Sequence, residues 1–187
     1  YTDEYNLAFI VKEWRKNTSG VYQQIGYVLR DMQVIVTDCS SNLPPSIQVP
    51  ADICVEAGKT VTANLVASDP NNGDVLTVQG GGGAFAGSNP LATFSPSSGS
   101  TFTSTGSSFN IFFSWNTNCG HIRNQPYLTT FKVQDSGWPN GNIVKLVAFN
   151  TFNIRVVPPS VKNVTAVPIG STMKISWDLS TCSPSIN

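Results

Sequence analysis

Oxygen-bearing side chains gather in two short loops of the chain. Asp69, Asn71, Asn72 and Asp74 stand in ASDPNNGD, and Asp135 stands in KVQDSG. Calcium takes about six to eight oxygen ligands from carboxylates, carbonyls and water. Asp69, Asn71, Asp74 and Asp135 could supply such a set if the two loops meet at one end of the fold. Asparagine at position 71, where a second acid would stand, removes a charge from that set. The same residues also suit plain turn building, because Asp and Asn side chains bond loose backbone groups. Both readings stay open on sequence.

Other reactive residues lack company. His121 is the one histidine, and it follows Cys119 with Arg123 in NCGHIRNQPY. A general base or metal ligand there would need partners that the sequence does not place nearby, so His121 reads as a loop-fixing hydrogen-bonding group. No nucleophile elbow, HExxH, phosphate loop or paired-carboxylate signature is present. The tetraglycine Gly80 to Gly83 is followed by neither a lysine nor a helix, and reads as a loop or bulge. Trp138, in the turn SGWPNGN, offers a ring face on which a sugar could stack. Tyr127 shares an alternating face with Phe131 and Val133 and reads as core. The expected activity is non-catalytic.

Four cysteines, Cys39, Cys54, Cys119 and Cys182, form no CxxC pair, and a single histidine gives a structural zinc site little to work with. Disulfides in an oxidising compartment are expected. Cys54 opens the central stretch and Cys119 follows a strong strand within it, so these two are paired. Such a bridge closes a loop of about 65 residues, worth roughly 4 kcal/mol in loop entropy. The partners of Cys39 and Cys182 stay open, including a pairing across a domain junction.

The elements that must position these groups are strands. TVTANLVASD puts Val61, Ala63, Leu65 and Ala67 on one face. SFNIFFSWNTNC does the same with Phe109, Ile111, Phe113 and Trp115, and TFNIRVV with Phe152, Ile154 and Val156. No segment has a helical period. Turn-rich stretches such as DPNNGD, QGGGGAF, FSPSSGS and DSGWPNGN separate the strands, which predicts an all-β antiparallel sandwich of the immunoglobulin or cadherin type. In that fold the loops after LVASD and FKVQD lie at one pole.

Two proline pairs, Pro44–Pro45 and Pro158–Pro159, punctuate this pattern. Proline cannot donate to a ladder and favours extended flanks, so each pair suits a stiff link between compact units. Three parts are expected: 1–42 as the end of a preceding β-sandwich, 43–158 as a complete sandwich, and 159–187 as the start of another domain. In that last part Val161, Val164 and Ala166 alternate, then Met173, Ile175 and Trp177, which resembles the opening of a fibronectin type III domain.

Composition excludes several function classes. Eleven basic and eleven acidic residues give zero formal net charge, so there is no electrostatic footprint for nucleic acid. No apolar run reaches the roughly 20 residues of a membrane-spanning helix, and Tyr1 to Ile10 does not read as a signal peptide. Two sequons, at Asn17 and Asn163, keep a eukaryotic secreted origin in play.

The strings IGYVLRDMQVIVTDCSSNLPPSI, ICVEAG, ASDPNNGD, SWNTNCGHIRNQPY, FKVQDSG and VVPPSV together resemble the repetitive ectodomains of gliding-motility-associated surface adhesins of Bacteroidota. That resemblance implies export by the type 9 secretion system. It implies an extracellular location at the outer membrane, and attachment to surfaces during gliding. Implied partners are neighbouring domains, the secretion translocon, the gliding machinery and an extracellular surface or polysaccharide. Two alternatives remain: a spacer or carbohydrate-binding module of a large secreted enzyme, and a eukaryotic adhesion-receptor ectodomain.

Overall fold

A computed structural model describes residues 2–38, 42–99, 101–103, 108–136 and 144–182. Strands dominate, and the described residues contain no α-helix. The chain divides into two compact units, residues 1–41 and 42–187.

The first unit is one long antiparallel hairpin, β1 (Thr2–Lys16) with β2 (Tyr22–Thr37), bulged at Glu13/Trp14. In sequence, strand character is read only over Tyr5 to Ile10 and Val28 to Val36 of these strands. The turn closes through Asn17, whose side-chain oxygen accepts the backbone N–H groups of Ser19 and Val21, and through Gly20 at φ 79°. Leu7, Phe9, Trp14, Tyr27 and Ile35 are exposed along it.

The second unit holds a sandwich of two sheets. One is ordered β3–β5–β9–β7, built from β3 (Ser46–Gln48), β5 (Thr60–Ser68), β7 (Thr93–Ser95) and β9 (Phe109–Asn116). The other is ordered β4–β11–β10–β6–β8, built from β4 (Ile53–Glu56), β6 (Val75–Gly82), β8 (Thr101–Thr103), β10 (Tyr127–Gln134) and β11 (Val147–Val157). All pairings are antiparallel except β4 with β11. Every inward residue expected on β5, β9, β10 and β11 faces the core, with Leu65, Ile111, Phe113, Trp115, Phe131, Val133, Phe152 and Ile154 fully buried. This is the two-layer solution to burying one face of each sheet.

Gly80, Gly81 and Gly82 correct the expected loop. They lie in β6 and pair in register with Phe131, Thr130 and Thr129 of β10. At Gly80 and Gly82 the lack of a side chain is a packing requirement. A β-carbon on Gly80 would stand 2.7 Å from Phe94 Cε1 and 3.0 Å from Phe85 Cζ. Those rings belong to an edge-to-face aromatic cluster in which Phe94 meets Phe131 at 5.2 Å and Phe85 meets Phe113 at 5.8 Å.

A last hairpin, β12 (Lys162–Ile169) with β13 (Thr172–Asp178), belongs to the same compact unit. Trp177 stands 53 % exposed on it and fills no core among the described residues.

Register fixes the two ends of the sandwich. β3 enters beside the end of β5, with Ser46 opposite Ser68, so Pro44 and Pro45 lie at the pole reached by Asp69. β11 runs from Val147, opposite Gln134, to Val157, opposite Glu56, so Pro158 and Pro159 leave at the other pole.

Candidate metal centre

The entry pole is where the acidic loops meet. Asp69 immediately follows β5, Asp74 immediately precedes β6, and Asp135 immediately follows β10, so residues from both sheets reach one point. One carboxylate oxygen from each lies within 4.8 Å of the other two. All three are buried, Asp69 and Asp74 at 1 % exposure and Asp135 at 2 %. Two carboxylates at such a distance repel by roughly 3 kcal/mol at an effective dielectric near 20.

Backbone donors hold part of the cluster. The Asp69 Oδ1 accepts the Asn71 N–H at 2.7 Å, closing the DPNN turn, and Gly73 completes it at φ 97°. The Asp135 Oδ1 accepts the Leu146 N–H at 2.7 Å. Asn71 stands beside the centre, where its Oδ1 accepts the N–H of Leu43 and ties the incoming chain to the loop. Asn72 is exposed.

Asn42, which sequence did not single out, is the fourth polar group of the pole. It is buried, at 6 % exposure, and its Nδ2 donates to Asp135 Oδ2 at 3.1 Å and to the Val144 carbonyl at 3.0 Å. Two acceptors on that side fix which end of the amide is nitrogen. Its Oδ1 is buried with no hydrogen-bond partner, as is Oδ2 of Asp74. The only hint in sequence was a polar residue just before Leu-Pro-Pro.

Burial disfavours the charged forms. Desolvation raises Asp69 and Asp74 above their ordinary carboxylate range; the negative charge of Asp135 raises both further, and that of Asp74 also raises Asp69. No lysine or arginine among the described residues forms an ion pair with Asp74. A divalent cation is the counter-charge that such oxygens suit.

The opposite pole carries the cysteine chemistry. Cys119, in the 3-10 turn Cys119–His121 just past β9, is bonded to Cys182, with the Cα atoms 5.2 Å apart. This corrects the expected Cys54–Cys119 bridge. Cys54 is an exposed thiol on β4, in register with Arg155, whereas Cys119 sits in the exit-pole turn where the chain returns after β13. Cys39 lies outside the described residues. His121 is buried beneath the turn; its Nδ1 accepts the Asn118 N–H at 3.0 Å and its ring packs on Trp115 at 4.8 Å. Desolvation holds it below its usual pKa. Tyr127 is also buried, as its alternating face predicts, with one ring face covered by the Arg123 guanidinium at 3.4 Å. Trp138 lies outside the described residues.

No family model matches the chain, and no curated protein matches it. Solved structures with a similar arrangement include the PapD-like domain of human CEP192 (TM-score 0.44, 11 % identity, 67 % of this chain and 92 % of that one). The SrpA adhesin of Streptococcus sanguinis gives a TM-score of 0.44 at 15 % identity, over 72 % of each chain. AggA, the major subunit of aggregative adherence fimbriae type I of Escherichia coli, gives 0.44 at 11 % identity, over 61 % of this chain and 95 % of that one. At such scores the likeness assigns no function.

Proposed function

We propose that the chain is a non-catalytic segment of a large secreted cell-surface adhesin, serving as a stalk or adhesive repeat in surface attachment. The observation that carries this reading is the end-to-end course of the sandwich. The chain enters beside Ser68 and leaves beside Glu56, at opposite poles, so the sandwich sits in series with whatever it joins. Each pole is tied across its strands: Asn42 and Leu43 bond to loops at the entry, and Cys119 to Cys182 at the exit. At the exit the Ser160 N–H also donates to Glu56 Oε1 at 3.1 Å, fixing the segment after the second proline pair. A unit in series that is stapled at both ends is suited to bearing load.

The finer reading follows the family resemblance: surface display through the type 9 secretion system and attachment during gliding, in association with the outer membrane and its gliding machinery. Antibodies against the purified chain test it on intact cells of the source organism. Surface labelling that protease shaving removes, with loss of attachment and gliding on deletion of the locus, is the expected result. Label confined to lysed cells, or unchanged attachment in the deletion strain, overturns it.

A further inference from the structure

We infer that the entry pole of the sandwich is a calcium site formed by Asp69, Asp74 and Asp135 together with Asn42. Three carboxylates that share a space within 4.8 Å and are buried almost completely would carry close like charges in a region shielded from water. The Asn42 Oδ1 is buried and unpartnered, and it belongs to an amide whose nitrogen is bonded to Asp135 Oδ2 of the cluster. The Asp74 Oδ2 is a second buried oxygen without a donor. Buried polar oxygens are ordinarily satisfied, and two of those left without a partner, on Asn42 and Asp74, belong to this pole.

The donor set selects the ion. All four groups are oxygens, three of them carboxylate, and the described cluster contains no nitrogen or sulfur ligand; His121 and Cys119 lie at the opposite pole. Zinc and copper favour imidazole and thiolate, whereas calcium accepts carboxylates and amide carbonyls in a flexible shell. Magnesium is smaller, demands strict octahedral geometry and gives up its waters reluctantly, so a dehydrated, three-carboxylate pocket favours calcium over it. Asn42 is the residue two before Pro44, so the ion would draw the incoming chain onto both sheets at once. This inference stands whether or not the chain belongs to an adhesin, because it concerns binding and stability of the isolated protein.

The test uses the full chain, dialysed against chelator and then titrated with calcium chloride by calorimetry, with thermal unfolding followed in parallel. One calcium per chain and a rise of several degrees in the unfolding midpoint are expected, with a smaller rise in equal magnesium. Asp74→Asn is expected to weaken binding at least ~10-fold by removing one charge from the shell. The same variant is expected to unfold at a higher temperature than the wild type in chelator, because it relieves repulsion. If Asp74→Asn does not fold, Asp69→Asn is read in the same way. Absence of binding heat with no midpoint shift in millimolar calcium overturns the inference, as does an equal shift with magnesium or full binding by a folded variant.

Discussion

Asn42 donates its side-chain amide to Asp135 across 93 positions of sequence, and in doing so fastens the residue where the chain enters the sandwich to the end of its central strand β10. The same nitrogen serves the Val144 carbonyl. Asn42→Leu keeps most of the volume and removes the donor. Leaving a buried acceptor without its donor costs about 1–3 kcal/mol. Urea unfolding of the full chain is expected to show a loss of that size with an unchanged denaturant slope. A loss under a few tenths of a kcal/mol would mean that the entry contact contributes nothing to the fold.

The raised Asp69 and Asp74 carboxyls set a pH dependence with a definite sign. A group whose folded pKa lies above its unfolded value, here 3.8, confers stability that is complete below that value and is lost as pH rises through the folded one. In chelator, Asp74→Asn should therefore match the wild type at acid pH and become progressively more stable than it towards neutrality. Unfolding free energies across a pH series check this difference. A constant gap at all pH values would show that Asp74 is not held above its ordinary range.

The bond between Cys119 and Cys182 ties the turn after β9 to the segment after β13, closing a loop over a sequence separation of 63. A closed loop of that length is worth about 4 kcal/mol to the folded state in the chain-entropy account. Non-reducing peptide mapping of the oxidised protein is expected to recover the Cys119–Cys182 peptide and alkylated Cys54. Reduction, or Cys119→Ser with Cys182→Ser, should lower the unfolding midpoint markedly. Recovery of a Cys54–Cys119 peptide would reverse the assignment.

Legibility in the sequence followed the physics of each element. Strands β5, β9, β10 and β11 alternate because one face is buried, and period-2 alternation is visible without coordinates. The convergence of Asp69, Asp74 and Asp135 could be anticipated, since loops after such strands share a pole. Asn42 could not, because its value depends on a hydrogen bond to a residue far along the chain. The cysteine pairing failed for a similar reason: strand order does not say that the segment after β13 folds back against the β9 turn. The short strands β3, β7 and β8 carry too few residues to show a period.

The glycines of β6 give the sharpest case of a residue type misread as a loop signal, and they differ among themselves in a way that mutation can resolve. Gly81 has nothing near its missing β-carbon, and glycine inside a strand costs roughly 0.5–1 kcal/mol in backbone entropy, so Gly81→Ala should be neutral or mildly stabilising. Gly80→Ala pushes a methyl into the Phe85 and Phe94 rings, which are locked by the surrounding aromatic cluster. Overpacking of that kind costs about 1–3 kcal/mol. Gly82 adds a φ of 102°, and its β-carbon would collide with the Leu128 carbonyl, a backbone atom of the neighbouring strand that cannot swing aside. Chemical denaturation of the three single variants is expected to rank them with Gly81→Ala most stable, Gly80→Ala intermediate and Gly82→Ala least stable. Equal losses at all three positions would mean that the tetraglycine acts through flexibility and not through the room it leaves for Phe85, Phe94 and the β10 backbone.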